Sequence, residues 1–110
     1  MPEIISRYYE FLKWLMNKVS TYPRNQRYVF GKSMEDKSLS VLDKLIRAYY
    51  QKDKVEILKE INVELEIIRY YLRLSKDMGF LTIKQFEFSI NYLHEIGSQV
   101  GGWTKKLSYS

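Results

Sequence analysis

At 110 residues the chain suits a single domain spanning 1–110, with enough length to bury a core and too little to argue for two. Five Gly and two Pro leave few breakers, and the absence of Cys excludes disulfides, thiolate metal sites and cysteine nucleophiles. A net charge of +5, with an isoelectric point near 9.3, favours polyanionic partners without requiring one. The opening MPEIISRYYEFLKW carries acid early and is not expected to be a signal peptide, and no run of about 18 apolar residues suggests a membrane span. The expected location is the cytoplasm.

Four segments show helical apolar spacing. The first is expected from Glu3 to Tyr22, with Ile5, Tyr8, Leu12, Leu15, Val19 and Tyr22 as its stripe and Pro23 ending it. A second is expected from Arg27 to Gln51, striped by Phe30, Met34, Val41, Leu42, Leu45, Ile46 and Tyr49; Gly31 inside it costs about 1 kcal/mol against Ala. Asp53 and Glu56 have the spacing of a capping box opening a third helix, which carries Leu58, Ile61, Leu65, Ile68 and Leu72 and closes at Gly79. Thr82 and Gln85 form another box, flanked by Leu81 and Phe86 at the staple positions. It opens a fourth helix with Ile83, Phe86, Ile90, Leu93, Ile96, Val100 and Trp103. Short connections make neighbours antiparallel, so the expected fold is an all-α, up-down-up-down four-helix bundle.

The apolar residues exceed one stripe per helix. Ile4, Tyr9, Phe11 and Trp14 lie off the main face of the first helix, and Ile67, Tyr70 and Leu74 off that of the third. Gly97 and Gly101 sit four apart beside Ser98, a spacing that admits a neighbouring backbone, with Trp103 just beyond. A homo-oligomer interface is therefore expected at Ile4, Phe11, Trp14, Gly97, Gly101 and Trp103, against the plainer reading of scattered exposed hydrophobes and a frayed helix end.

Charge is uneven. Residues 23–52 hold seven basic and three acidic side chains, most of the surplus. Arg24, Arg27 and Lys32 at the start of the second helix should meet Arg69, Arg73 and Lys76 at the end of the third, while Lys37, Lys44 and Arg47 share roughly one face of the second. Such clusters reward a phosphate backbone through counterion release; the alternatives are a solvated face and the ordinary preference of bases for helix C-termini.

Signatures of catalysis are lacking. The one histidine, His94, has no Arg four to six residues before it, as a helical HEPN ribonuclease requires, and Asn91 stands where a di-iron Glu-x-x-His motif needs Glu. No phosphate loop, nucleophile elbow or zinc spacing occurs, so no catalytic residue, metal or cofactor is expected.

The segments PRNQRYVFGKSMED (23–36), LRLSKDMGFLTIKQFEF (72–88) and HEIGSQVGGWTKK (94–106) resemble the accessory variability determinant proteins of diversity-generating retroelements, and the similarity spans essentially the whole chain. These belong to a wider four-helix superfamily that includes proteins encoded within 23S ribosomal RNA intervening sequences. The resemblance implies a homopentameric barrel with a basic exterior that binds the retroelement's reverse transcriptase and template RNA, or DNA, in support of mutagenic copying, without catalysis of its own. Arg24, Arg27 and Arg73 match the family's basic segments; the remaining basic candidates rest on charge and geometry. The alternative implied is a structural bundle of the intervening-sequence type with no polymerase partner.

Overall fold

The computed structural model describes residues 2–108, with side chains described for 2–106, as four helices forming a rod of 47 × 23 × 22 Å. Helix α1 is Glu3–Val19. It stops three residues short of the expected Tyr22 because hydroxyls compete with the backbone: Ser20 Oγ donates to Asn17 O and Thr21 Oγ1 to Lys18 O, both at 2.6 Å.

Helix α2 (24–50) begins earlier than expected, behind Pro23, whose carbonyl accepts from the Gln26 and Arg27 amides at 2.9 and 3.0 Å. After one α-helical turn, Arg24–Gln26, the chain widens into a π-helical turn, Arg27–Gly31, and returns to α geometry over Lys32–Tyr50. Gly31 is required by close approach. A β-carbon there would lie 2.8 Å from Val19 Cγ1, so only glycine lets α2 press against the end of α1.

Helix α3 is Val55–Asp77. Its expected capping box is half formed: Asp53 Oδ1 accepts from the Val55 amide at 3.3 Å, but Glu56 turns instead to Lys59 at 3.5 Å. The connection is fastened by Lys54, whose ammonium donates to Ala48 O at 2.6 Å and to Gln51 O, closing the C-terminus of α2. Gly79, at φ +81°, ends α3 in the left-handed conformation, with the Phe80 amide reaching back to Ser75 O at 2.8 Å. Helix α4, Ile83–Ser108, opens with the expected reciprocal box: Thr82 N–H donates to Gln85 Oε1 at 2.9 Å and Gln85 N–H to Thr82 Oγ1 at 3.1 Å.

Contacts fix the order of packing. Against α4, α1 places Arg7 by Glu95 and Trp14 by Phe88, while Tyr22, just beyond its end, meets Phe80. Between α2 and α3, Phe30 meets Tyr71 and Lys44 meets Glu60. In each pair one number rises as the other falls, so these neighbours run antiparallel. The core gathers the α1 stripe with Met34, Val41, Leu45, Leu58, Ile61, Leu65, Ile68, Leu72, Leu93, Ile96 and Val100. Phe30, Leu42, Ile46, Phe86, Ile90 and Trp103 are half-buried against it, Tyr49 and Ile83 are exposed, and Leu81, ahead of the α4 cap, fills a core position.

Candidate nucleic-acid and partner interface

Three of the expected cations stand at the start of α2. Arg24 is exposed and has no acidic or hydrogen-bond partner among the described residues. Arg27 is anchored toward α1, its Nη1 donating to Ser20 O at 3.2 Å, and Lys32 pairs with Asp36 at 3.2 Å. The π-helical turn raises Tyr28 outward to 69% exposure, and Arg27, Tyr28, Lys32 and Glu35 surround a hollow of about 290 Å³.

Arg69, Arg73 and Lys76 occupy the same end of the rod but a different groove, between α3 and α4. Arg69 is committed within the protomer. Its Nη1 meets Glu66 at 2.8 Å and its Nη2 lies 3.4 Å from Leu93 O, in space that Gly97 vacates, since a β-carbon there would sit 2.9 Å from the guanidinium. Lys76 lies over the Phe86 ring at 4.7 Å, with Asp77 at 3.6 Å. Arg73 is exposed without an acidic partner among the described residues, and it shares a groove of about 220 Å³ with Tyr70, Phe86 and Ile90. Of the six expected cations, Arg27 and Lys32 thus line one hollow and Arg69 and Arg73 another.

Lys37, Lys44 and Arg47 do not form a free cationic face. Lys44 Nζ sits 2.7 Å from Glu64 Oε1 and 3.4 Å from Glu60, Lys37 approaches Glu64 at 3.9 Å, and Arg47 pairs with Asp43 at 2.7 Å. Glu64 is buried, and Ser40 Oγ donates to both its oxygens at 3.1 and 3.2 Å. The hydrogen bond to Glu64 holds the Lys44 ammonium above the usual lysine range, outweighing its partial desolvation. Lys37 and Lys44 therefore offset the charge of a buried carboxylate. Burial of the Tyr8 phenol, which donates to Ser38 O at 2.7 Å, pushes it far above the ordinary tyrosine range.

Much of the expected second face of α1 is covered within the protomer. Phe11 is fully buried and Ile4 is 8% exposed; Phe11 packs on Tyr92 at 5.7 Å and Trp14 on Phe88 at 5.2 Å, both from α4. Flanked by α2 and α4 at once, α1 buries a wider arc than one stripe. Gly101 faces open space, and half-buried Trp103 lies beneath the Lys54 ammonium at 5.6 Å. One uncovered apolar stripe runs along α3 to its C-cap: Val63, Tyr70, Leu74 and Met78 are exposed, with half-buried Ile67 between, at spacings of three and four. The off-face positions Ile67, Tyr70 and Leu74 carry that signal in the sequence.

His94 is exposed, and among the described residues no group of three or more His, Asp or Glu is placed to hold a metal ion. No described helix is long and apolar enough to cross a membrane. No curated protein matches the chain. A family model described as bAvd-like matches residues 4–107, nearly the full length, a range that takes in the three motif segments. The chain belongs to the bAvd-like family, the accessory variability determinant proteins that its sequence resembles.

Proposed function

We propose that this protein is a non-catalytic, cytoplasmic accessory factor of a diversity-generating retroelement. It binds the element's reverse transcriptase and template RNA through the basic surfaces of a homo-oligomeric, pentameric barrel. Family membership supports the setting. The observation that carries the contact is the placement of Arg24 and Arg73 at one end of the rod, exposed and free of acidic partners among the described residues, with the exposed ring of Tyr28 nearby in sequence. Uncommitted guanidinium groups hold phosphate bidentately, and exposed tyrosines stack unpaired bases. Self-association is assigned to the α3 stripe of Val63, Tyr70, Leu74 and Met78 rather than to α1.

The deciding experiment is capture of the neighbouring reverse transcriptase and its template RNA by the wild-type protein and by an Arg24→Glu/Arg73→Glu variant, with native mass measurement of each. The reading requires capture by the wild type, loss of RNA from the variant, and an unchanged oligomer. Capture of neither polymerase nor RNA refutes it.

A further inference from the structure

The hollow beside the π-helical turn holds a combination of groups that general attraction to polyanions does not call for. Its wall includes a carboxylate. Glu35 is half-buried and has no hydrogen bond or ion pair among the described residues, although Lys32, one turn before it, carries a cation. Burial, reinforced by neighbouring Asp36 and only partly offset by Lys32, raises its pKa above the usual carboxylate range. A plain phosphate cradle has no use for such a group, which would repel the ligand.

We propose that this hollow is a subsite for one unpaired guanine nucleotide of a single-stranded RNA, with Tyr28 stacking the base, Glu35 accepting from its N1–H and 2-amino group, and Arg27 and Lys32 holding the adjoining phosphate. The inference rests on the polynucleotide-binding reading above and adds to it a base and a pocket. Three features converge. First, the π-helical turn presents the Tyr28 ring almost free of neighbours, and ring stacking is how proteins hold splayed-out bases. Second, an ionised carboxylate only accepts, and guanine offers it two adjacent donors on the Watson–Crick edge, where adenine and cytosine offer one amino group and uracil one imide. Third, the open hollow of about 290 Å³ has room for one base beside the Tyr28 ring. Arg27 reaches the site already steadied by Ser20 O, and the exposed Lys32–Asp36 pair is weak enough to exchange for a phosphate. Arg24, three residues before Arg27, extends the cationic track beyond the hollow, which favours a strand over a free nucleotide.

The test uses fluorescence anisotropy with the full chain and labelled oligouridylates of about eight nucleotides carrying one central G, A, C or U. Guanosine 5′-monophosphate serves as competitor. The G-bearing strand is expected to bind roughly tenfold tighter than the others; Tyr28→Ala weakens every strand by about tenfold, and Tyr28→Trp restores binding. Glu35→Gln erases the preference for G, weakening the G-bearing strand without weakening the all-U strand, which a merely structural role would not do. Both positions are at the surface, and a cooperative melt like the wild type's confirms that each variant is folded. Strands that bind alike whatever their central base, with Tyr28→Ala and Glu35→Gln indistinguishable from wild type, overturn the inference and leave the polynucleotide reading intact. Failure of every strand to bind in dilute salt ends both. Guanosine monophosphate binding as tightly as the strand overturns the assignment to RNA.

Discussion

Glu64 Oε1 lies 2.7 Å from Lys44 Nζ across the α2–α3 seam, a buried carboxylate held by the ammonium and by two contacts from the Ser40 hydroxyl. Removing one partner of a buried pair leaves the other desolvated and uncompensated. Glu64→Gln or Lys44→Met should therefore cost about 2 kcal/mol, below the ~3–5 of a fully enclosed pair, because the Lys44 side chain keeps 24% of its surface in water. Urea unfolding of each variant and of the double variant measures the coupling.

The same pair sets a pH dependence. Lys44 titrates above its unfolded value because Glu64 favours the charged form. Its stabilisation is therefore fully present below the unfolded lysine pKa of about 10.4 and disappears as pH rises through the higher folded value. The stability difference between wild type and Lys44→Met should stay constant from neutrality to about pH 10 and shrink above it. Chemical denaturation in that range checks the sign, with the variant cancelling the titration of other lysines and tyrosines.

At Gly31 two effects oppose. Alanine would improve helix propensity by about 1 kcal/mol, yet its β-carbon would meet the buried Val19 Cγ1 at 2.8 Å, a short branched side chain with nowhere to retreat. Overpacking wins, and Gly31→Ala should destabilise by about 1–2 kcal/mol. In a Val19→Ala background the obstruction is gone, so the same substitution should become neutral or stabilising. A double-mutant cycle that shows no change of sign refutes the close-approach account.

These cases show why some of the molecule is readable in its sequence. The Thr82–Gln85 box and the Gly79 stop are local, made within five residues by groups whose geometry the spacing already dictates. Core stripes follow from helical period, which is why Ile5, Tyr8, Leu12, Leu15 and Val19 are all buried. Asp53 and Glu56 have the right spacing for a box, but intervening Lys54 ties down the α2 carbonyls and Glu56 has a closer cation in Lys59. Lys37 and Lys44 look free when charges are counted along the chain, because their partner Glu64 lies 20 or more residues away. Phe11 reads as surplus when a helix is given one stripe, whereas α1 packs against two neighbours. The π-helical turn has no sequence signature beyond Gly31.

Lys54 links three parts of the chain: it donates to carbonyls at the end of α2, precedes α3, and lies over the Trp103 ring of α4. Lys54→Met keeps the stem and removes the donors and the charge. The expected loss is about 1–2 kcal/mol, combining an uncapped helix end with a cation–π contact. In a Trp14→Phe background Trp103 is the sole indole, and its emission should shift on Lys54→Met. An unchanged spectrum and an unchanged melt together refute the clamp.

Cations that differ in their commitments within the protomer should differ in their effect on RNA affinity. For a single strand, every phosphate that a cation neutralises steepens the fall of log affinity with log salt by about 0.7. Arg24→Gln and Arg73→Gln each remove a guanidinium with no internal acidic partner among the described residues, so each should flatten the slope by about that amount and weaken binding to all sequences alike. Lys37→Met removes a charge already turned toward Glu64 and should leave the slope unchanged. Equal slopes for all three variants would mean that internal pairing does not decide which cations meet the phosphates, and that the net charge of the rod alone governs the affinity.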